Sequence, residues 1–269
     1  MPLNSRKRAS RAPSRAASRR NLGRRSTSVQ SHCTAWPESV DTRLAPFVSF
    51  DLAHSRAKAH SANELFDEVR GHELYDRHLR TLIRADQLGF DGIAINEHHS
   101  MVYSMSACVS LLAARLSAVT TNAKIMVAGT PINLQYPNRV AEEYAMLDVM
   151  TGGRMEYAFP LGTGMEYWAN EGTINPVTAR ARFREGLDVI LKSWTEDGPM
   201  RYDGDFYNYR YLNQWPKTFQ KPRPKCFIVG TGSEETVSLA IDYDLGYSIV
   251  FVPITVRARP CARRSRSAR

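Results

Sequence analysis

Along residues 46–253 the apolar positions alternate between two spacings. Short apolar runs with strand character are followed by longer stretches in which apolar residues return every three or four positions. Residues 46–52 predict a first strand. Residues 72–88 predict a helix with Leu79, Leu82 and Ile83 on one face, and Gly89 is suited to its left-handed cap. In the strand that follows, Ile93 and Ile95 point to one side and Ala94 and Asn96 to the other. Residues 104–119 predict a second helix with Leu111, Leu112 and Leu116 inward, and residues 124–130 a third strand. Pro137 opens a helix carrying Val140, Tyr144, Leu147 and Met150. The turn 151–154 leads into a fourth strand at 155–159. Asn175-Pro176 starts a long helix with Phe183, Leu187, Ile190, Leu191 and Trp194 on its buried stripe. Residues 226–230 are a fifth strand. A helix with Val237, Ala240 and Ile241 follows, stopped by Gly246, and a sixth strand spans 247–252.

Strands that alternate with helices predict an α/β fold with a parallel sheet, of the (β/α)8 TIM-barrel type. Six strand candidates are present where such a barrel has eight, so the chain reads as a barrel truncated after about six β/α units. One stretch breaks the alternation. Residues 197–225 are aromatic and punctuated by Pro216, Pro222 and Pro224. They read either as a lid over a site or as a flap packed for stability.

Composition changes the picture at the two ends. The net charge is +9, from 36 basic and 27 acidic residues. Residues 1–37 hold nine Arg/Lys and no acid, and residues 254–269 hold six Arg and no acid. Without these fifteen, 21 basic residues face 27 acidic ones, so the middle carries −6. A nucleic-acid-binding reading of the whole chain loses its main support. The domain organisation expected is a disordered basic leader over 1–44, the barrel domain over 45–253 and a basic tail over 254–269. The leader has a transit-peptide composition, yet it reads equally as a plain disordered segment. A cytoplasmic location is expected, with organelle targeting left open. The four cysteines form no C-x-x-C pair, and Cys108 and Cys226 sit in apolar elements, which fits free thiols.

Two stretches carry candidate chemistry. Glu97, His98 and His99 end the second strand, at the edge of a parallel sheet where active sites form. Taken alone, three such residues more often start a polar loop. A metal site is disfavoured, because neighbouring strand residues point to opposite sides and no H-E-x-x-H helix or cysteine cluster accompanies them. The second stretch is the turn 230–236, Gly-Thr-Gly-Ser-Glu-Glu-Thr. Its backbone N–H groups at a helix start favour anions. Ser233 is equally a plain N-cap, and Glu234 and Glu235 oppose an anion.

Several motifs occur together in one order. Gly89-Phe90-Asp91, a short strand and Glu97-His98-His99 come first. Tyr136-Pro137-Asn138-Arg139-Val140-Ala141-Glu142-Glu143, Leu147-Asp148 and Thr151-Gly152-Gly153-Arg154 follow. This order resembles the bacterial luciferase-like, flavin-dependent monooxygenases over residues 46–253. The resemblance implies an FMN-dependent monooxygenase that uses reduced flavin and O2 to oxygenate a small organic substrate. It implies His98 as the active-site histidine, a general acid or base, with Glu97 orienting it or lining the pocket. Ala128, Gly129 and Thr130 would lie against the flavin ring. Gly162 and Gly164, with Gly230, Thr231, Gly232, Ser233 and Thr236, would surround its phosphate. Members often carry an arginine in the loop after the fourth strand, where this chain has Pro160-Leu161-Gly162. No G-x-G-x-x-G dinucleotide turn is present, so a separate flavin reductase would supply the reduced flavin. Self-association is also implied. The alternatives are a deazaflavin (F420)-dependent oxidoreductase of the same superfamily and a catalytically inactive truncated remnant. No specific nucleic-acid or membrane partner is expected.

Overall fold

The computed structural model describes residues 48–49, 63–100, 104–162 and 177–249. All fall within one compact unit, Arg43–Arg269. The basic leader, most of the first predicted strand, Gly164, Asn175-Pro176, the end of the sixth predicted strand and the basic tail lie outside the described residues.

Six strands form one sheet: β1 (Val48–Ser49), β2 (Gly92–Ile95), β3 (Lys124–Ala128), β4 (Met155–Pro160), β7 (Lys225–Gly230) and β8 (Gly246–Ile249). They lie side by side in that order, and every neighbouring pair is parallel. Parallel neighbours need a crossover, and helices supply it. They are α1 (Glu68–Gln87), α2 (Val109–Val119), α3 (Pro137–Met150), α4 (Ala179–Thr195) and α5 (Glu234–Asp242). The remaining strands, β5 (Met200–Asp203) and β6 (Asn208–Leu212), make a separate antiparallel hairpin. The main architecture is therefore the predicted α/β, TIM-barrel-type arrangement.

Local chemistry explains most boundaries. Asp67 caps α1 by accepting the Arg70 N–H at 2.8 Å. Gly89 ends that helix with φ 82°, as predicted for a left-handed cap. Pro137 is the first residue of α3, where its missing N–H costs nothing. Gly152 and Gly153, with φ 62° and 86°, make the turn into β4. Strand β2 is buried at every position, as a strand covered on both faces must be. The core behind β3 and β4 is aromatic. Tyr144 lies flat against Tyr157, 4.2 Å between ring centroids, and Trp194 packs beside them with its Nε1–H donated to the Ala141 carbonyl at 3.0 Å. Burying each such ring contributes about 1.5–3 kcal/mol.

Three predicted helix faces are corrected. In α2 the buried residues are Val109, Ala113 and Leu116, while Leu111 is 71% exposed. The helix begins at Val109 rather than 104, and Cys108 is exposed just before it. Met150 at the end of α3 is exposed. In α5 the buried pair is Leu239 and Ala240, with Ile241 outward. Tyr243 caps α5 and Asp244 turns with φ 51°. Gly246, expected to stop the helix, instead opens β8, where a Cβ would sit 2.4 Å from the Phe227 ring.

The aromatic stretch 197–225 is anchored to the barrel. The Glu185 carboxylate of α4 accepts the backbone N–H groups of Asp205, Phe206 and Tyr207, the last at 2.7 Å, and so fills the hairpin turn. Tyr207 and Leu212 bury themselves against Val189 of α4. Tyr209 donates to Asn138 at 2.9 Å. The packed-flap alternative describes the hairpin.

Candidate functional site

Both candidate stretches lie at the carboxyl ends of strands in the same sheet, one after β2 and one after β7. They are built differently.

The Glu97 side chain is turned inward, with only 1% of its surface accessible. Its Oε1 meets the His99 Nε2 at 3.0 Å and accepts from Gln135 Nε2 at 3.2 Å. Its Oε2 accepts from the Val109 N–H at 3.0 Å, at the first residue of α2, and from Thr130 Oγ1 at 3.4 Å. One carboxylate thus joins the loop after β2, the start of α2 and the loop after β3. Thr130 is also hydrogen-bonded to the buried Tyr144 hydroxyl. Burial, and then the neighbouring Glu97 charge, push the Tyr144 hydroxyl well above the usual tyrosine range, so it stays neutral.

His98 is half-buried, and its backbone N–H donates to the Ser106 carbonyl at 3.1 Å. Glu97 was expected to orient His98 or to line the pocket; the ring recorded against its carboxylate at 3.0 Å is that of His99. The spacing explains it, since residues two apart share a side of an extended segment. Around this loop Ser100, Ser104 and Met105 have φ of 54°, 67° and 44°. Non-glycine residues in that region mark places where the surroundings impose the backbone. Ser104 is held by its hydroxyl, donated to Asn96 Oδ1 at 2.6 Å.

Ala128 closes β3 opposite Ala158. Gly129 follows so close to β4 that a Cβ would lie 1.7 Å from the Ala158 carbonyl oxygen. The neighbouring strand is itself sufficient reason for glycine there. Thr130 is buried and faces Glu97. Gly162, with φ 103°, is the last described residue after β4, and Gly164 lies outside the described residues.

The turn after β7 gathers hydroxyls. Ser233 Oγ and Thr236 Oγ1 are 2.9 Å apart, and Thr236 Oγ1 is 3.0 Å from the Tyr247 hydroxyl. That hydroxyl also accepts the Gly232 N–H at 2.9 Å. Ser233 is the N-cap residue of α5 without a side-chain capping bond. Thr231 is exposed, and Gly232 has φ 98° with nothing within 4 Å of the place a Cβ would take. A Cβ at Gly230 would meet the Tyr247 hydroxyl at 2.4 Å. Beside the turn, a cavity of about 300 Å3 is lined by Thr236, Glu235, Arg180 and Arg184 over an apolar floor that includes Phe183 and Ile228. Arg180 pairs with Glu235 at 2.5 Å.

Tyr247 and Arg180 escaped the sequence reading. Tyr247 reaches the turn because β8 pairs with β7 in register, Ile228 opposite Tyr247. Arg180 comes from α4, and no local pattern links it to Glu235. Among the described residues, no group of three or more His, Cys, Asp or Glu side chains could hold a metal ion, and no helix is long and apolar enough to cross a membrane.

The described residues thus join a parallel α/β sheet of barrel type to a buried carboxylate–histidine contact and a hydroxyl-lined glycine turn, both at its carboxyl edge. Residues 45–259 match the family model described as luciferase-like monooxygenase, and the chain belongs to that family. It is similar to the oxygenase component of the flavin-dependent trigonelline monooxygenase of Acinetobacter baylyi (strain ATCC 33305 / BD413 / ADP1). The two are 24% identical over 60% of this chain and 45% of that protein. In fold it is similar to the monooxygenase RslO1 from Streptomyces bottropensis, with a TM-score of 0.63 and 23% identity over 70% of this chain and 56% of that one. It is also similar in fold to the oxygenating constituent of 3,6-diketocamphane monooxygenase from Pseudomonas putida, solved in complex with FMN. There the TM-score is 0.57, with 19% identity over 67% of this chain and 52% of that one. The chain spans about half the length of the curated relatives it matches.

Proposed function

We propose that this chain is the flavin-binding part of an FMN-dependent monooxygenase that acts on a small organic substrate with O2. The observation that carries the reading is the donor set after β7. The hydroxyls of Ser233, Thr236 and Tyr247 converge beside the open space at Gly232, at the start of α5. Three hydroxyls and a helix N-terminus suit a phosphate. The objection from the acidic pair Glu234 and Glu235 weakens, because Arg180 pairs with Glu235 and brings a cation to the same cavity. Leu161, from the loop after β4 that offers Pro160-Leu161-Gly162 instead of an arginine, lines the same cavity as Arg180.

In this reading Gly230, Thr231, Gly232, Ser233 and Thr236 hold the phosphate, with Gly162 and Gly164 on its other side. Ala128, Gly129 and Thr130 present a small-residue edge to the ring. His98 serves as the acid or base at the reacting end, beside the buried Glu97 cluster. Reduced flavin, when bound, supplies the electrons with which O2 is activated. The relative named an oxygenase component supports supply of that reduced flavin by a separate reductase.

Anaerobic titration with reduced FMN, followed by fluorescence, tests the reading. Saturable binding that inorganic phosphate competes away is the expected result. A folded chain that ignores FMN but binds F420 would replace it with the deazaflavin alternative, and one that binds neither would sink it.

A further inference from the structure

A charged cavity of about 430 Å3 lies along the exposed face of α1. Its lining includes Arg77, Arg80 and Arg84 together with Ala85, Leu88 and Phe90, and no acid. Positions 77, 80, 84 and 88 recur at three- and four-residue spacing, so they share one face of the helix, while Leu74, Leu79 and Leu82 are buried. The helix stop brings Phe90 to the same place. Gly89 turns with φ 82°, its N–H donates to the Asp86 carbonyl at 3.1 Å, and the Phe90 N–H returns to the Ala85 carbonyl at 3.2 Å. Phe90 stands just before β2, so this cavity is at the amino end of the sheet, opposite the glycine turn after β7.

The charge here is not balanced. The first half of α1 mixes signs, with Glu68, Arg70, Glu73 and Asp76, whereas beyond Asp76 its exposed charged residues are all arginines. Arg70 pairs with Glu73, and Arg80 with Asp76. Asp86 is buried and holds the N–H groups of Thr121, Asn122 and Ala123. Among the described residues no carboxylate pairs with Arg77 or Arg84, and Arg84 donates to the neutral Gln87 amide at 3.3 Å. A helix C-terminus attracts cations within about its last turn, which accounts for Arg84 but not for Arg77 and Arg80. Two guanidiniums without a countercharge thus stand beside open apolar surface, Leu88 being 59% exposed. A phosphate monoester carries about two negative charges near neutral pH, and guanidinium forks match its oxygens.

The structure assigns this cavity as a binding site for a small phosphate monoester with an apolar or aromatic body. Arg77 and Arg84 take the phosphate, and Leu88 and Phe90 the body. The site is independent of the flavin reading, which concerns the other end of the sheet.

The test is calorimetric titration of the full chain with phenyl phosphate, with inorganic phosphate and benzoate as comparisons. Wild type is expected to bind phenyl phosphate more tightly than either. The double variant Arg77→Gln/Arg84→Gln is expected to weaken that binding about tenfold or more, and Ser233→Ala/Thr236→Ala to keep it. Leu88→Ala should narrow the gap between phenyl phosphate and inorganic phosphate about threefold. Arg77, Arg84 and Leu88 are exposed, so these variants are expected to fold. No binding by wild type, or equal affinity in wild type and the double arginine variant, overturns the site. Loss confined to Ser233→Ala/Thr236→Ala overturns it as well, by placing the binding at the glycine turn. Benzoate bound as tightly as phenyl phosphate overturns the choice of phosphate, and an unchanged gap in Leu88→Ala overturns the apolar body.

Discussion

Two buried carboxylates sit at opposite ends of the same sheet and do opposite jobs. Asp86, near the end of α1, accepts three successive backbone N–H groups before β3, those of Thr121, Asn122 and Ala123, at 3.1, 2.9 and 2.6 Å. Arg154 completes that end by donating to Thr120, Ala123 and Ser117. Glu97, past the carboxyl end of β2, accepts one backbone N–H and otherwise meets side chains: an imidazole, an amide and a hydroxyl. Backbone partners cannot leave without unfolding the chain, whereas side chains can rotate, titrate or meet a ligand. The first acid is a clamp, and the second is the one we propose as a working part, in keeping with the two faces of a barrel sheet.

The sharpest way to break the carboxyl end is Gly129→Ala. Its Cβ would fall 1.7 Å from the Ala158 carbonyl oxygen. Separating β3 from β4 is expected to cost about 3 kcal/mol or more, seen as loss of a cooperative denaturant transition. Next comes Asp86→Ala, which leaves three N–H groups without their acceptor. A loss of about 3 kcal/mol is expected in chemical denaturation, with FMN affinity unchanged in the folded fraction. Glu97→Gln keeps an acceptor and most packing, so about 1 kcal/mol is expected in the same measurement. If Glu97→Gln destabilises as much as Asp86→Ala, the contrast between clamp and working part collapses.

Acid adds a finer test. Burial alone would raise the Asp86 carboxyl, but the N–H groups of Ala123, Thr121 and Asn122 and the Arg154 charge outweigh it and hold it below its ordinary 3.8. A folded-state value below the unfolded one gives stability that is full above the unfolded value and is lost as pH falls through the folded one. Asp86→Asn should therefore flatten the part of the acid-stability curve that lies below about pH 4. Equal curves for the two proteins would show that Asp86 contributes nothing there. The smallest effect belongs to Gly232→Ala. Space is open at this position, but its φ of 98° is costly for any side chain, so about 1 kcal/mol of stability should be lost. Weaker binding of reduced FMN should accompany it, and unchanged affinity would remove Gly232 from the phosphate site.

Much of this was legible in the chain. Apolar spacing located β2, β3, β4 and β7 and the buried stripe of α4, because burial on a strand or a helix leaves a period that needs no partner to be seen. Gly89, Pro137 and Gly152-Gly153 marked turns and caps by backbone chemistry alone. The helix faces failed where apolar residues stand on more than one side of a helix: in α2 the packing buries Val109, Ala113 and Leu116 and leaves Leu111 outside, and spacing alone cannot choose between the two sides.

The sequence by itself determined which residue types stand at the carboxyl ends of the strands: Glu97-His98-His99 after β2 and the glycine-rich 230–236 turn after β7. Both are consecutive in the chain and need only the strand periodicity to be placed. The tertiary structure decided their partners. Glu97 takes His99 together with Gln135, Thr130 and Val109, and the turn takes Tyr247, while Arg180 joins Glu235 beside it. Those partners come from other strands and helices, and packing and sheet register bring them together. No local pattern in the chain encodes that meeting.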